Sequence, residues 1–299
     1  MSGQLDHRLA SGDGDLRVAA IQLPPCGADP AANEAVAFDA VRHAAEVGAR
    51  LVALPELATV PYFAGSPAGR YRAWAQPAHG AFATRCAALA KACGVVLFMP
   101  FYEIDPASGH YHNAVMGFDA QGKPLRTGPV ARKLHLPVGD DPLPGFDETA
   151  HFAPGTGLHV VEAAGWRIGV LVCYDRRFPE CWRALRAAGA ELVIVPVAGS
   201  GGDDMDFFIG ELRTHARENG LAVVCANKAG DEFLDGARID NFGESCVIAA
   251  DGAVLARRSG ALGPGTVQAT LDQAQVARTR ARLRYYTHRR TDLYGTPVF

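Results

Sequence analysis

Cys173 has the sequence surroundings of a nucleophile. It lies in the run GVLVCYDRRFPE (169–180), where an apolar stretch leads straight into a cysteine and three charged residues. The apolar stretch is typical of a buried parallel strand, and a helical pattern follows from Phe178. Cys173 is therefore predicted at the carboxyl end of a strand, where open α/β sheets place reactive groups. Amide dipoles at a helix start favour anions, so the thiolate form would be helped there, although a thiol is mostly protonated near pH 7 and needs a base to take its proton. A buried structural cysteine is the alternative.

Two further residues, Glu56 and Lys133, complete the set of groups that acyl transfer requires. Glu56 ends the apolar run ARLVALPEL (49–57), and Lys133 lies in ARKLHLP (131–137). Taken singly, each residue could be an ordinary surface charge. Together with Cys173, the carboxylate offers a general base and the ammonium offers a cation that stabilises an oxyanion.

Strand and helix patterns alternate along the chain and must position these side chains. Parallel units mixed with hairpins indicate an α/β protein with mixed sheets in two layers and helices outside. The irregular stretches 134–157, 199–205 and 228–243 are expected to shape a site, because long loops in compact domains often do so. Strands are predicted at 16–23, 49–57, 95–104, 191–198 and 221–227, helices at 30–48, 80–93 and 206–219, and hairpins at 112–127, 158–175 and 244–258.

Three motifs in this order resemble those of the nitrilase superfamily, the carbon–nitrogen hydrolases. They are LVALPEL around Glu56, RKLHLP around Lys133 and GVLVCYDRRFPE around Cys173, with spacings of 77 and then 40 residues. The segment RRTDLYG (289–295) resembles the family's C-terminal RRPDLYG, and ETAHFAPG (148–155) resembles the segment that carries a second glutamate. The chain is identified as a member of this superfamily from about residue 16 onward.

The resemblance implies an α/β fold in the form of a four-layer αββα sandwich with mixed sheets. Residues 16–299 would form a single domain, after a polar, Gly-rich and flexible leader at 1–15. The C-terminal tail, from about 272 to 299, would lie at the interface of a homodimer or a higher homo-oligomer.

The resemblance and the chemistry together imply a role for each catalytic residue. Cys173 would attack the substrate carbonyl, release ammonia and form a thioester, while Glu56 serves as general base. Lys133 and the backbone N–H of Tyr174 would stabilise the oxyanion. Glu148 would orient Lys133 or the substrate amide. The expected substrate is a small amide or ureido compound, and no metal or cofactor is expected.

Four further side chains are candidates for substrate binding. Arg176 and Arg177 could bind a substrate carboxylate in a bidentate way, or could hold the turn by pairing with Asp175 or Glu180. Tyr62 could form a wall of the pocket or simply pack. His135 could line the pocket or support a loop.

The substrate remains open among several classes. The Asp-Arg-Arg run resembles D-specific N-carbamoyl-amino-acid amidohydrolases, which favours an N-carbamoyl amino acid. HLP with ETAHFAPG resembles N-carbamoylputrescine amidases, so N-carbamoyl amines and aliphatic or ω-amides are alternatives. The non-enzyme alternative is a catalytically silent scaffold that binds a ligand.

The composition excludes other classes of function. The 299 residues are 48% hydrophobic, enough for a large core, and the net charge of −3 without a basic block argues against a nucleic-acid partner. No apolar stretch approaches the roughly 20 residues of a membrane span, so no membrane partner is expected. An odd number of cysteines without a CxxC motif argues against disulfides and indicates a cytoplasmic protein. The seven cysteines are Cys26, Cys86, Cys93, Cys173, Cys181, Cys225 and Cys246.

Overall fold

The computed structural model describes residues 14–139, 146–199 and 204–294. Most of the strands in these ranges belong to two large mixed sheets. In chain order the strands are β1 (Asp15–Gln22), β2 (Leu51–Ala53), β3 (Val96–Ile104), β4 (Tyr111–Phe118), β5 (Ala131–Arg132), β6 (Val138–Gly139), β7 (Phe146–Asp147), β8 (Val160–Ala163), β9 (Trp166–Val170), β10 (Leu192–Pro196), β11 (Ala222–Ala226), β12 (Ala229–Leu234), β13 (Ala237–Ile248), β14 (Val254–Ser259) and β15 (Gly265–Asp272).

Both large sheets have a parallel centre and antiparallel edges. The first follows the order β15-β1-β2-β3-β4-β5, with β1, β2 and β3 parallel to one another. The second follows β12-β13-β11-β10-β9-β8, with β9, β10 and β11 parallel and β14 paired to β13. Strands β6 and β7 form a separate two-stranded ribbon.

The described residues form five helices, four of which pack on the outer faces of the sheets. They are α1 (Pro30–Glu46), α2 (Ala81–Cys93), α3 (Pro179–Ala187), α4 (Met205–Asn219) and α5 (Gln273–Leu283). Asp29 caps α1 and glycine ends α2 and α4 in the left-handed conformation, which are favourable start and stop residues. Helices α1 and α2 pack on the first sheet, and α3 and α4 pack on the second.

The central strands are buried on both faces because they lie between a helix layer and the other sheet. In β1, Val18 and Ala20 belong to the core between the sheets, whereas Ala19 and Ile21 face α1 and α2. Strand β10 divides in the same way between the inter-sheet core and the core under α3 and α4. The strand period of two thus assigns alternate side chains to two cores. The predicted four-layer αββα sandwich is confirmed.

The carboxyl ends of the parallel strands position the site. Glu56 follows β2 of the first sheet by three residues, and Cys173 follows β9 of the second sheet by three residues. Gly169 lets α3 pack closely on β9, because a Cβ there would lie 2.7 Å from a methyl carbon of Leu185. The two sheets therefore bring residues that are far apart in the sequence to one end of the sandwich.

Several predicted elements differ from the structure. Residues 228–243 are not irregular: they include β12, which pairs with β13 across the turn Asp235–Gly236. The strand expected at 49–57 is only three residues long, because the chain leaves the sheet before Glu56. The hairpin expected at 112–127 turns at 119–123, but its return is a single bridge at Pro124. Strand β4 pairs mainly with β3 instead.

The predicted domain limits are only partly within the described residues. The leader predicted at 1–15 lies largely outside them, although Asp15 already belongs to β1. The tail predicted from about 272 begins with helix α5, and residues 295–299 are outside the described ranges. Among the described helices, none is both long and apolar enough to cross a bilayer.

Candidate active site

Lys133 lies at the centre of a buried charge cluster. Its ammonium donates to Glu56 Oε1 at 2.9 Å and to Glu148 Oε1 at 2.5 Å, and all three side chains are at most 1% exposed. Burial lowers the pKa of Lys133, but the charges of Glu148 and Glu56 outweigh it and the net pKa is raised. Lys133 is therefore a permanent cation at neutral pH. The structure brings together these three residues, which are predicted as catalytic from the sequence.

Glu56 is held in one orientation by three donors. Besides Lys133, the Asn113 amide donates to Glu56 Oε1 at 2.6 Å, and the backbone N–H of Ala198 donates to Glu56 Oε2 at 2.8 Å. Asn113 lies on β4 of the first sheet, whereas Ala198 follows β10 of the second. The carboxylate is thus fixed from both sheets, as a positioned base requires.

The two carboxylate oxygens of Glu148 differ in their surroundings. Its Oε1 accepts from Lys133 and from the Tyr62 hydroxyl, whereas its Oε2 is buried without a hydrogen-bond partner among the described residues. Burial raises the pKa of Glu148 to about 7; Lys133 and the Tyr62 hydroxyl oppose this shift, and Glu56 adds to it. A buried acceptor without a partner is costly, so this oxygen is suited to an N–H donor of a ligand.

Cys173 lies on a strained turn. It begins a short 3-10 turn (Cys173–Arg177) and has a φ of 48°, a left-handed value that is uncommon outside glycine. Burial raises the pKa of its thiol to about 12; the charge of Glu56 adds to this, and Lys133 and Arg176 oppose it. Desolvation therefore outweighs any help that the amide dipoles of so short a turn give to the thiolate form. The same interactions place Cys173 within electrostatic range of Glu56 and Lys133.

Asp175 joins the Cys173 turn to the segment that follows Lys133. Its carboxylate accepts from the backbone N–H groups of Leu134 at 3.1 Å and His135 at 2.9 Å, and from that of Val172 at 3.3 Å. The His135 ring also lies within hydrogen-bond distance, with Nδ1 2.8 Å from Asp175 Oδ1. The positions of the predicted nucleophile and the predicted cation are thus fixed through one buried side chain.

Arg176 is buried and already has partners. Its guanidinium donates to the carbonyl of Cys173 at 3.1 Å and lies 4.0 Å from the Cys173 sulfur. Its Nε is 3.2 Å from a carboxylate oxygen of Glu211 on α4, and its charge stacks over the Phe208 ring. Arg177 is more exposed and lies 3.9 Å from the same carboxylate. This geometry favours turn-holding for Arg176, with Glu211 as the partner instead of Asp175 or Glu180.

The remaining predicted residues are also placed. His135 stacks on Phe178 with ring centroids 3.6 Å apart, which favours loop support over pocket lining. Tyr62 is buried, stacks on Phe146 and donates its hydroxyl to Glu148, so it both packs and contacts the charge cluster. The Tyr174 ring packs edge-on against Phe178. Within the described residues, no three His, Cys, Asp or Glu side chains group as metal ligands.

Two site residues escape prediction from the sequence, and a third, Asp175, is considered there only as a partner of an arginine. Asn113, Asp175 and Glu211 hold Glu56, the Cys173 turn and Arg176 respectively. Asn113 lies within an apolar strand pattern, where a single polar residue that is buried needs a partner, and this is the one available signal. The partner of Glu211 lies 35 residues away on another element, so no local pattern indicates it.

The charge cluster and the strained cysteine turn accord with a comparison of the whole chain with known proteins. The family profile described as carbon-nitrogen hydrolase matches residues 17–281. The chain belongs to the carbon–nitrogen hydrolase family. It is therefore an enzyme of the class that hydrolyses carbon–nitrogen bonds in amides, and the silent-scaffold alternative is not supported.

Individual carbon–nitrogen hydrolases match over most of their length. An N-carbamoylputrescine amidase of Solanum lycopersicum is 32% identical over 93% of this chain and 93% of its own. A carbon-nitrogen hydrolase structure from Helicobacter pylori G27 superposes with a TM-score of 0.85 at 28% identity, over 94% of this chain and 97% of that one. An amidase structure from Nesterenkonia sp. gives 0.77 at 27% identity, over 96% and 98%. These similarities agree with the nitrilase-type fold predicted from the motifs.

Proposed function

We propose that this carbon–nitrogen hydrolase is a cysteine-dependent amidohydrolase that releases ammonia from a small linear amide or ureido compound through a thioester. The observation that carries the proposal is the buried Lys133 ammonium, bound by Glu56 and Glu148 and within electrostatic range of the Cys173 thiol. A nucleophile, a base and a fixed cation in one desolvated cluster are the groups that acyl transfer needs.

In the first half-reaction Cys173 attacks the carbonyl carbon as Glu56 removes the thiol proton. A thiol with a pKa of about 12 is protonated at neutral pH, so attack and proton transfer must be concerted or closely coupled. The carbonyl π electrons move to oxygen, giving a tetrahedral oxyanion. When it collapses, the C–N bond breaks, Glu56 returns the proton to the departing nitrogen, and ammonia leaves a thioester on Cys173.

Lys133 and a backbone amide are proposed to stabilise the oxyanion. The first hydrogen bond of the 3-10 turn is donated by the Asp175 N–H to the Val172 carbonyl, so the Tyr174 N–H precedes the bonded amides. The first N–H groups of a helical turn have no partner within it. One such donor is worth about 3 kcal/mol in the transition state.

The second half-reaction hydrolyses the thioester. Glu56 removes a proton from water, whose oxygen attacks the thioester carbonyl and forms a second tetrahedral oxyanion at the same donors. The C–S bond then breaks, the thiolate takes the proton from Glu56, and a carboxylic or carbamic acid leaves. The charge of Lys133 is unchanged throughout, which suits its raised pKa.

Glu148 is proposed to bind the substrate nitrogen. Its Oε2 is buried without a partner among the described residues, and a primary amide or ureido NH₂ offers the donor that this oxygen lacks. An ester has no such donor, and binding it would leave the oxygen unsatisfied. The pairing therefore supports amides and ureido compounds over esters.

The engagement of Arg176 by Glu211 supports a substrate without a carboxylate near its reacting group. The sequence favours an N-carbamoyl amino acid through Arg176, but that guanidinium is 3% exposed and engaged by Glu211. To bind Arg176, a substrate carboxylate would have to displace Glu211 from a buried ion pair. The free energy lost by leaving Glu211 buried without its partner exceeds the free energy gained from the new pair. We therefore favour an N-carbamoyl amine, as in the tomato relative's name, and keep the N-carbamoyl amino acid and aliphatic or ω-amides as competing substrates.

The test is ammonia release from a panel of N-carbamoylputrescine, N-carbamoyl-D-alanine, N-carbamoyl-L-alanine, β-ureidopropionate and propionamide. We expect turnover of at least one compound, and Cys173→Ala should abolish it while the circular dichroism spectrum is unchanged. Cys181→Ala is the matched control, because this buried thiol packs in the core under α3 and should leave turnover intact. Turnover retained by Cys173→Ala would refute the proposal.

A second variant separates the cation from the nucleophile. Lys133→Ala should lower kcat by about two to three orders of magnitude, the usual cost of losing one oxyanion donor. Iodoacetamide should still alkylate Cys173 in this variant, with the site identified by mass spectrometry. A kcat within tenfold of the wild type would rule out the proposed role of Lys133.

A further inference from the structure

A second buried ion pair lies outside the catalytic cluster. Lys228 and Glu232 are at most 1% exposed, and the Lys228 ammonium donates to Glu232 Oε1 at 2.8 Å. Lys228 follows β11, and Glu232 lies on β12, the next strand along the chain. Neither residue has a role in the acyl-transfer steps. A buried pair of this kind stabilises a fold little compared with apolar packing, so its other contacts indicate what it does.

The polar contacts of the pair converge on the loop that follows Glu56. We define the Glu56 loop as residues 57–62. The Lys228 ammonium donates to the carbonyl of Val60 at 2.8 Å, and Glu232 Oε2 accepts from the backbone N–H of Tyr62 at 2.8 Å. Glu232 Oε1 also accepts from the backbone N–H of Cys26 at 2.9 Å. The pair thus holds the far end of the loop with one hydrogen-bond donor, Lys228, and one acceptor, Glu232.

The Glu56 loop connects two groups of the charge cluster. It begins directly after Glu56, where Leu57 has a left-handed φ of 48°, and it ends at Tyr62, whose hydroxyl donates to Glu148 Oε1. The position of the Tyr62 backbone fixes where that hydroxyl lies. A shift of the loop would therefore move a donor away from Glu148 at one end and strain Glu56 at the other.

We propose that Lys228 and Glu232 are positioning residues that hold the Tyr62 hydroxyl on Glu148 through the backbone of the Glu56 loop. The inference rests on the proposed function, because it assigns Glu148 to substrate binding. Both residues act through the loop and not on the reacting atoms. Misplacing a catalytic constellation by about 1 Å can cost on the order of a hundredfold in rate.

A carboxylate is required at position 232 because both of its oxygens accept backbone hydrogen bonds. Gln has one carbonyl oxygen, so in Glu232→Gln either Tyr62 or Cys26 would face an NH₂ group in place of an acceptor. Asp keeps the charge but is one methylene shorter, so Glu232→Asp cannot reach both N–H groups. The two variants weaken the same contact in different ways, and the second retains the buried negative charge.

The experiment measures kcat and KM of Glu232→Gln, Glu232→Asp and Tyr62→Phe with whichever panel compound the wild type hydrolyses fastest. We expect each variant to lower kcat about tenfold to a hundredfold. We also expect Glu232→Gln to add less than about threefold to the loss in Tyr62→Phe, because both act through one hydroxyl. If the losses of kcat in Glu232→Gln and Tyr62→Phe multiply fully in the variant that carries both substitutions, the proposal is overturned.

A matched control separates positioning from stability. Glu244→Gln makes the same substitution at another buried carboxylate, one paired with Arg257 on β14 and not with the Glu56 loop. This control should lose thermal stability but keep kcat per alkylatable Cys173 thiol. An equal loss of kcat in Glu244→Gln would mean that Glu232 has only a structural role.

A substrate-free measurement keeps the inference separate from the proposed function. With ¹³Cζ-labelled tyrosine, the Tyr62 signal is assigned by its loss in Tyr62→Phe. It should shift in Glu232→Gln and Glu232→Asp but not in Glu244→Gln, because the hydroxyl leaves Glu148. An unmoved signal would overturn the positioning role, whereas turnover by Cys173→Ala would overturn only the proposed function. If Glu232→Gln does not fold, Glu232→Asp gives both readouts.

Discussion

At the scale of single residues, the Cys173 thiol is protonated in the resting site. Burial and the nearby Glu56 carboxylate raise the pKa of Cys173 to about 12, while the pKa of Lys133 is raised by its two carboxylate partners. The thiol is therefore neutral and the ammonium charged across the physiological range. Such a site does not depend on a preformed thiolate, because Glu56 can accept the thiol proton as the sulfur attacks a substrate carbonyl.

The fall of activity at acid pH, the acid limb of the pH profile, is expected to follow protonation of the Glu148 carboxylate. Its pKa is raised to about 7 by burial, so the carboxyl becomes neutral as pH falls through that value and loses its charge interaction with Lys133. Activity should therefore rise with pH up to about 7. The Tyr62 hydroxyl favours the ionised form, so Tyr62→Phe should move the limb to higher pH, by roughly one unit. The measurement is kcat/KM between about pH 5 and 9.

Besides burial, neighbouring groups influence the pKa of Glu148. Among the described residues, Lys133, Glu56 and Tyr62 act on it by charge or hydrogen bond. Lys133 stays charged through this range, so its contribution is constant. A limb that stays in place in Tyr62→Phe, or moves to lower pH, would contradict the assignment to Glu148.

At the scale of elements, the Cys173 turn is held from two sides. Asp175 ties it to the segment after Lys133, and Arg176 ties it to Glu211 on α4. The Trp182 indole on α3 also donates to the carbonyl of Arg176 at 2.7 Å. A left-handed φ at Cys173 persists only where the surroundings impose it, and these contacts supply that constraint.

We expect Arg176→Met to impair all substrates alike. If the guanidinium holds the turn, kcat/KM should fall by similar factors, within about threefold of each other, for N-carbamoyl-D-alanine and propionamide. Glu211→Gln should reproduce the pattern, because it weakens the same ion pair from α4. A KM increase confined to the carboxylate-bearing compound, absent in Glu211→Gln, would support carboxylate binding by Arg176 instead.

At the scale of the whole molecule, two sheets with parallel centres face each other and expose their carboxyl ends at one site. Glu56 comes from the first sheet, and Cys173 and Ala198 come from the second. The inter-sheet core draws its apolar side chains from both sheets. Loss of packing there would separate the base from the nucleophile, so activity and global stability are coupled in this architecture.

The C-terminal tail is expected to contribute to self-association. Tyr285, Leu293 and Tyr294 are between 49% and 66% exposed, an unusual set of large apolar side chains on one short segment. We predict a dimer or larger oligomer for the full chain by size-exclusion chromatography with light scattering. Truncation after Leu283 should shift the mass to that of a monomer. An unchanged mass on truncation would refute the tail's role.

Prediction from sequence succeeded where the signal is local. The apolar runs of β1 and β10, the glycine stop of α2 and the motif around Cys173 each lie within a few consecutive residues. It failed for β12, whose run AGDEFL mixes charged with apolar residues and includes Glu232, which is buried in an ion pair with Lys228. A buried ion pair makes a strand hard to predict from sequence, because its charged residues interrupt the apolar pattern that indicates a strand.

The sequence alone determined the family and the layered α/β class, and it singled out Glu56, Lys133 and Cys173 as candidate catalytic residues, because motif residues and strand patterns lie in consecutive positions. Only the tertiary structure decided that burial raises the pKa of the Cys173 thiol, that Arg176 is engaged by Glu211 and that one oxygen of Glu148 lacks a partner among the described residues. Desolvation and pairing depend on which distant groups share a buried volume. That information exists only after the two sheets have packed.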